Sequence, residues 1–149
     1  MYYIIMVIGI LCIDRFTKYL AIEHLQKVDT FPLIDGALHF TYAENTGAAF
    51  SILTGKQGLL ILFTGMVIMV MCFYFWREKE HMSALANIAM AMIIGGAMGN
   101  FIDRILWNYV VDFIDFRLID FAIFNVADSF IVVGALLLGY TILFDKASA

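Results

Sequence analysis

The chain has 149 residues, 63% of them hydrophobic, with a mean hydropathy of +0.90 and a formal charge of −4. Soluble domains are about 45–50% apolar, so the composition argues against an ordinary water-soluble core. The acidic balance, with no basic stripe interleaved with aromatics, argues against nucleic acid as a partner.

A membrane span needs about 20 mostly apolar residues. The first candidate covers about 1–22 and is uncharged through Ile13, then carries Asp14, Arg15 and Lys18. It lacks the basic leading region and small-residue cleavage site of a signal peptide, so it reads as a span with a polar far end. An outer segment of about 25–57 follows. It holds the single proline, Pro32, a turn-like Asp35-Gly36, and the alternation Leu38-His39-Phe40-Thr41-Tyr42. That period of two is the mark of a half-buried strand, and a small sheet leaning on the bilayer is expected around 37–53. Two clean spans, about 58–76 and 82–102, are joined by Arg77-Glu78-Lys79-Glu80-His81. A second outer segment, about 103–120, mixes charged residues and Trp107 with apolar ones, as an interfacial segment does. The last span, about 121–144, contains a single charge, Asp128. The predicted fold is an α-helical integral membrane protein with four transmembrane helices, a small β-cradle and a short interfacial segment. No repeat or linker divides it, so one domain over 1–149 is expected. Cys12 and Cys72 lie inside apolar runs in no paired-motif spacing and read as small hydrophobes.

The polar residues within the spans are the informative ones. An ionised side chain at a helix centre costs about 2.5–3.5 kcal/mol on the insertion scale. Asp14 and Lys18 are i,i+4, as are Asn100 and Arg104 with Asp103 beside them; Asn125 and Asp128 are i,i+3. In an up-and-down arrangement of four spans these groups gather at one membrane face, where Asp112 also falls. Each has an ordinary structural reading. Asp14 with Lys18 can be a helix-end ion pair, and Asp103 with Arg104 a local bridge. Asp128 can be a helix-start carboxylate favoured by the dipole, Asp112 a solvated acid, and Asn45 a turn residue beside Gly47. Gly95, Gly96 and Gly99 contain a G-x-x-x-G spacing that serves close helix packing. The three histidines form no metal-ligand spacing, so metal catalysis and a Ser–His hydrolase are disfavoured and no cofactor is expected.

Asp112 and Asp128 remain as a carboxylate pair in a dry setting. Two such groups held close share a proton near neutral pH. One can then take a proton from water while the other gives one to a peptide carbonyl. An ion-coupled transporter would instead want acids near the bilayer midplane, often in paired repeats. A membrane assembly factor would account for the glycines but not for the paired acids. Orientation is left open by charge: Arg77, Lys79 and Lys146 lie on the side of the termini, against Arg15, Lys18, Lys27, Lys56, Arg104 and Arg117 on the other.

Taken together, DRFTK (14–18), ENTGAAF (44–50), GGAMGNFIDR (95–104), VVDFIDF (110–116) and FNVAD (124–128) occur in the order and spacing of the bacterial lipoprotein signal peptidases, or signal peptidase II. The chain resembles that family along nearly its whole length. The resemblance implies an aspartyl endopeptidase of the bacterial cytoplasmic membrane, with both termini cytoplasmic and an extracytoplasmic β-cradle and active site. It would remove the signal peptide from diacylglyceryl-modified prolipoproteins just before the lipid-modified cysteine. The resemblance makes Asp112 and Asp128 catalytic and assigns substrate contacts to Asn45, Asn100, Arg104, Asn125 and Asp14. Lys18, Gly47, Gly96 and Asp103 are supporting motif positions. Implied partners are the prolipoproteins, membrane lipids and inhibitors of the globomycin type. The sequence departs from the family pattern at Arg15, where many members have Gln, and in starting Met-Tyr-Tyr without basic residues ahead of the first span.

Overall fold

The computed structural model describes residues 2–28, 30–47, 55–119 and 121–144. In chain order these form α1 (Tyr2–Leu25), β1 (Thr30–Ile34), β2 (Leu38–Asn45), α2 (Gln57–Glu78), α3 (Ala84–Trp107), β3 (Val110–Phe116), a 3-10 turn (Arg117–Ile119) and α4 (Val126–Phe144). Among the described residues three helices, α2, α3 and α4, are long and apolar enough to cross a membrane. The other long helix, α1, has 24 residues and carries Asp14, Arg15 and Lys18 in its second half.

α3 is the centre of the bundle and packs against α1, α2 and α4. Its small residues allow this. A Cβ on Gly96 would stand 2.4 Å from the Ala127 carbonyl oxygen of α4. On the adjoining stripe, Gly95 faces Ile10 of α1 and Gly99 faces the Asp14 carboxylate. The G-x-x-x-G spacing is therefore a packing face for α1, with Gly96 turned toward α4. In contrast, α2 and α4 present large apolar side chains outward, among them Phe63, Met69, Val70, Leu136 and Ile142, as lipid-facing helices do.

Two helix boundaries differ from the hydropathy reading. α3 begins at a Ser83 cap, whose Oγ accepts from Ala86 N at 3.2 Å, and continues past 102 to Trp107. It stops at Asn108, which takes the left-handed conformation (φ 62) and returns its N–H to Arg104 O at 3.1 Å. Asp103 and Arg104 are thus helical rather than part of an outer segment, because a charge ends an apolar run without ending a helix. Conversely, α4 begins at Val126 rather than 121. The preceding residues are extended, and Phe124 forms a bridge to Ile114 of β3.

The sheet has the order β1-β2-β3, antiparallel throughout. The Asp35-Gly36 turn is present, with Gly36 at φ 68 and Ala37 N donating to Ile34 O at 3.0 Å. Pro32, which has no N–H to give, sits on the edge strand β1. Residues 48–53 of the expected sheet region lie outside the described residues. β3 falls within the expected interfacial segment of about 103–120. It shows no alternation because Val110, Val111, Asp112 and Phe113 are buried in succession. Val111 and Phe113 pack with Ala21 and Leu25, which docks the end of α1 onto the sheet.

On this sheet Thr30 and Thr41 hydrogen-bond each other at 2.9 Å, and Thr41 donates to Asp115 Oδ2 at 2.7 Å. Arg117 Nε reaches the same oxygen at 2.9 Å, tying β1, β2 and β3 together at one point. Burial opposes ionisation of Asp115, yet the bonds from Thr41 and Arg117 hold its carboxyl below the usual range.

Candidate active site

Backbone pairing brings the two aspartates together. Phe113 N and Ile114 N both donate to Phe124 O, at 3.0 and 2.8 Å, and Phe124 N returns a bond to Ile114 O at 3.1 Å. Asp112 therefore ends up beside the N-terminus of α4. On its other flank, the β2–β3 register shifts between Phe40 and Ala43, immediately before Ala43 pairs with Asp112. Such a bulge re-aims nearby side chains, and two residues on, Asn45 Nδ2 donates to Asp112 Oδ2 at 3.0 Å.

The first turn of α4 is a reciprocal cap. Asn125 Oδ1 accepts from Asp128 N at 2.9 Å, while Asp128 Oδ2 accepts from Asn125 N at 3.1 Å. This is the capping-box arrangement with Asn and Asp in the two roles. It leaves Asp128 Oδ1 free to accept from Asn100 Nδ2 at 2.7 Å. Asn125 Nδ2 in turn donates to Asp112 Oδ1 at 2.7 Å and to Asn100 Oδ1 at 3.1 Å. One fully buried amide thus touches both aspartates.

Behind this lies an ion cluster. Lys18 Nζ contacts Asp14 Oδ2 at 2.8 Å, Asp103 Oδ2 at 2.7 Å and Asn100 Oδ1 at 2.9 Å. Asp103 Oδ1 also pairs with Arg15 at 2.8 Å. The remaining oxygen of Asp14, Oδ1, accepts the N–H of Ala127 at 3.1 Å, so α1 caps α4 from outside. A Cβ on Gly99 would lie 2.6 Å from Asp14 Oδ2, so this approach requires glycine.

A cavity of about 580 Å³ opens in front of the pair. Asp112, Asp128, Asn45, Asn100 and Arg104 supply its polar wall, and Phe121, Ile123, Ile131 and Val132 are among its apolar lining. Arg104 Nη2 holds Gly47 O at 2.9 Å, while Asn45 Oδ1 accepts from Gly47 N at 2.9 Å. The turn after β2 is pinned from both sides. Of the expected substrate contacts, Asn45, Asn100 and Arg104 face the cavity. Asn125 and Asp14 do not line it, and their polar atoms are engaged within the protein. Gly96 belongs to the helix packing, and Lys18 and Asp103 to the cluster behind.

Burial pushes the Asp112 carboxyl up to about 7, with the Asp128 charge adding to the rise and bonds from Asn45 and Asn125 opposing it. Asp112 is therefore poised to hold or release a proton near neutrality. Among the described residues, no group of three or more His, Cys, Asp or Glu side chains is arranged to hold a metal ion.

Sequence reasoning missed the Phe124 bridge, the placement of Gly99 against Asp14, and the contact of Lys18 with Asn100. Gly99 carried a signal, its i,i+4 spacing from Gly95, but the others depend on which elements meet.

Comparison with known proteins agrees with this architecture. The family model described as signal peptidase (SPase) II matches residues 6–144. The lipoprotein signal peptidase of Caldanaerobacter subterraneus subsp. tengcongensis is 47% identical over 141 residues, covering 95% of each chain. That of Clostridioides difficile is 37% identical over 149 residues, covering 100% of this chain and 99% of the other. A solved bacterial membrane enzyme, determined by the in meso method at 2.3 Å resolution, superposes with a TM-score of 0.88 at 32% identity. It covers 99% of this chain and 93% of its own.

Proposed function

The chain belongs to the signal peptidase II family, and on that premise we propose that it is an aspartyl endopeptidase of diacylglyceryl-modified prolipoproteins. It cuts just before the lipid-modified cysteine with a water activated by Asp112 and Asp128, and needs no metal. The observation that carries this reading is the single cavity wall on which both carboxylates stand, bridged by Asn125.

Asp112, pushed up to about 7 by burial and the Asp128 charge, holds the shared proton at rest. Asp128 is the base, supplied with donors by Asn100 and the Asn125 main chain at the positive end of α4. It takes a proton from water as the oxygen adds to the scissile carbonyl carbon, and Asp112 gives its proton to the carbonyl oxygen. On collapse, Asp128 passes its proton to the departing cysteine nitrogen, the C–N bond breaks, and Asp112 recovers its own. Asn45 and Arg104 hold substrate carbonyls or the lipid's polar groups. The acyl chains leave along Phe121, Ile131 and Val132 toward the bilayer.

α1 is the fourth span. At about 1.5 Å per residue its 24 residues are long enough, and Asp14, Arg15 and Lys18 within it are held in ion pairs. The whole chain works as one unit in the bacterial cytoplasmic membrane, termini inside and the site at the outer face. Globomycin-type inhibitors occupy the same cavity.

Cleavage of a diacylglyceryl-modified prolipoprotein by the purified protein tests the reading. Asp112→Asn and Asp128→Asn are each expected to lower kcat by at least about 10³-fold while the protein stays folded in detergent. Near wild-type cleavage by either folded variant removes that residue from the dyad.

A further inference from the structure

Lys18 is 1% exposed, and its ammonium has as many acceptors as protons: Asp14 Oδ2, Asp103 Oδ2 and Asn100 Oδ1. We propose that Lys18 is a positioning residue for the dyad, fixing the amide of Asn100 so that its NH2 group points at Asp128. The proposal rests on the peptidase reading above and deepens it.

An ammonium group donates and cannot accept, so the Asn100 atom against it is the oxygen. Asn125 Nδ2 donates to that same oxygen at 3.1 Å. Two donors thus set one end of the amide, and the other end, Nδ2, meets Asp128 Oδ1 at 2.7 Å. Reversing Asn100 would set NH2 against two donors and an oxygen against a carboxylate. The direction is then passed on. With its Nδ2 committed to Asn100 and Asp112, Asn125 offers Oδ1 to the N–H of Asp128. Both aspartates therefore face donors because the chain of amides starts at a group with no lone pair.

Charge is a smaller part of the account. Asp14 and Asp103 offset Lys18 and Arg15 in formal charge. The cluster chiefly supplies direction rather than field. The charged groups around Asp112 are Asp128 on α4, Lys18 with Asp14 on α1, and Arg104 with Asp103 on α3. Of these, Lys18 holds the Asp112 carboxyl down against burial and the Asp128 charge.

The experiment uses the full chain in detergent, with a diacylglyceryl-modified prolipoprotein as substrate. Lys18→Met is compared with Lys18→Met/Asp103→Asn, which keeps the buried charges balanced if the single variant does not fold. The expected result is a kcat lower by about 10–100-fold, the scale of a misplaced catalytic group, with KM within about threefold. The alkaline limb of the pH–rate profile moves up in Lys18→Met because its positive charge near Asp112 is lost, and the readout that a purely structural role would not produce is the coupling to Asn100. In an Asn100→Ala background the same substitution costs less than about threefold more, since the effect runs through Asn100. Unchanged kcat and pH profile in a folded variant overturn the proposal, as does a full multiplicative loss in the Asn100→Ala background. If the wild-type protein cleaves no prolipoprotein, the peptidase reading itself fails and this one goes with it.

Discussion

Asp128 closes the first turn of α4 with one oxygen and meets the Asn100 amide with the other. The same carboxylate is a structural cap and a candidate base, so one geometry accommodates both readings open to it from sequence. Asp112 has no such anchoring role, and its environment decides its chemistry. Burial and the Asp128 charge raise its carboxyl to about 7. The proposed reaction needs that proton, so kcat is expected to fall as pH rises through about 7, where both members of the pair become ionised. A pH–rate profile checks this, and a rate constant between pH 6 and 9 would refute it. The linked stability term has the same sign. A carboxyl raised in the folded state favours folding most below its unfolded value near 4, and that contribution is lost as pH climbs through about 7.

At the scale of elements, the contact between α3 and α4 depends on Gly96. Even a methyl group there would meet the Ala127 carbonyl at 2.4 Å and Ile131 at 2.8 Å. Gly96→Ala is expected to destabilise by about 1–3 kcal/mol and to lower cleavage by moving the start of α4, read as a drop in Tm in detergent alongside the rate. The sheet offers a contrast. Thr41→Val removes the bonds to Asp115 and Thr30 and a weaker one from Arg117, at a cost of about 1–3 kcal/mol. That cluster lies off the cavity, so kcat should stay within about twofold; a large loss of rate would mean that the cluster belongs to the site. The hydrophobic cores of the four helices were legible from apolar runs, and the β1–β2 turn from Asp35-Gly36. The ends were not, because hydropathy reports where charge begins, whereas α3 ends where Asn108 turns left-handed and α4 begins where Asn125 caps. β3 stayed hidden because a strand buried along its length loses the alternation by which strands are recognised.

For the whole molecule, the four-span arrangement drawn from sequence gathered Asp14, Asn100, Asp103, Arg104, Asp112, Asn125 and Asp128 at one end, and the structure brings them together. What could not be read was who touches whom: Asn125 as the bridge, or Lys18 reaching Asn100 across 82 positions. Charge counting leaves the orientation open, and Arg15, Lys18 and Arg117 are engaged with Asp103, Asp14 and Asp115 rather than being free positive charges. The proposed chemistry uses carboxylates alone, and cleavage is therefore expected to survive EDTA. Loss of activity restored by a divalent cation would replace the dyad mechanism with a metal-assisted one.

The bond from Asp14 to Ala127 joins residues 113 positions apart, and this bears on how the protein is made. On the four-span reading, Asp14 and Lys18 already neutralise each other one turn apart while the ribosome is still delivering later helices, whereas Arg15 waits for Asp103 of α3. Asn100 and Asp103 join them when α3 arrives, but both the proposed base, Asp128, and the amide bridging the two acids come with the final helix. On the proposed mechanism a nascent chain is thus proteolytically mute until its last segment has been inserted.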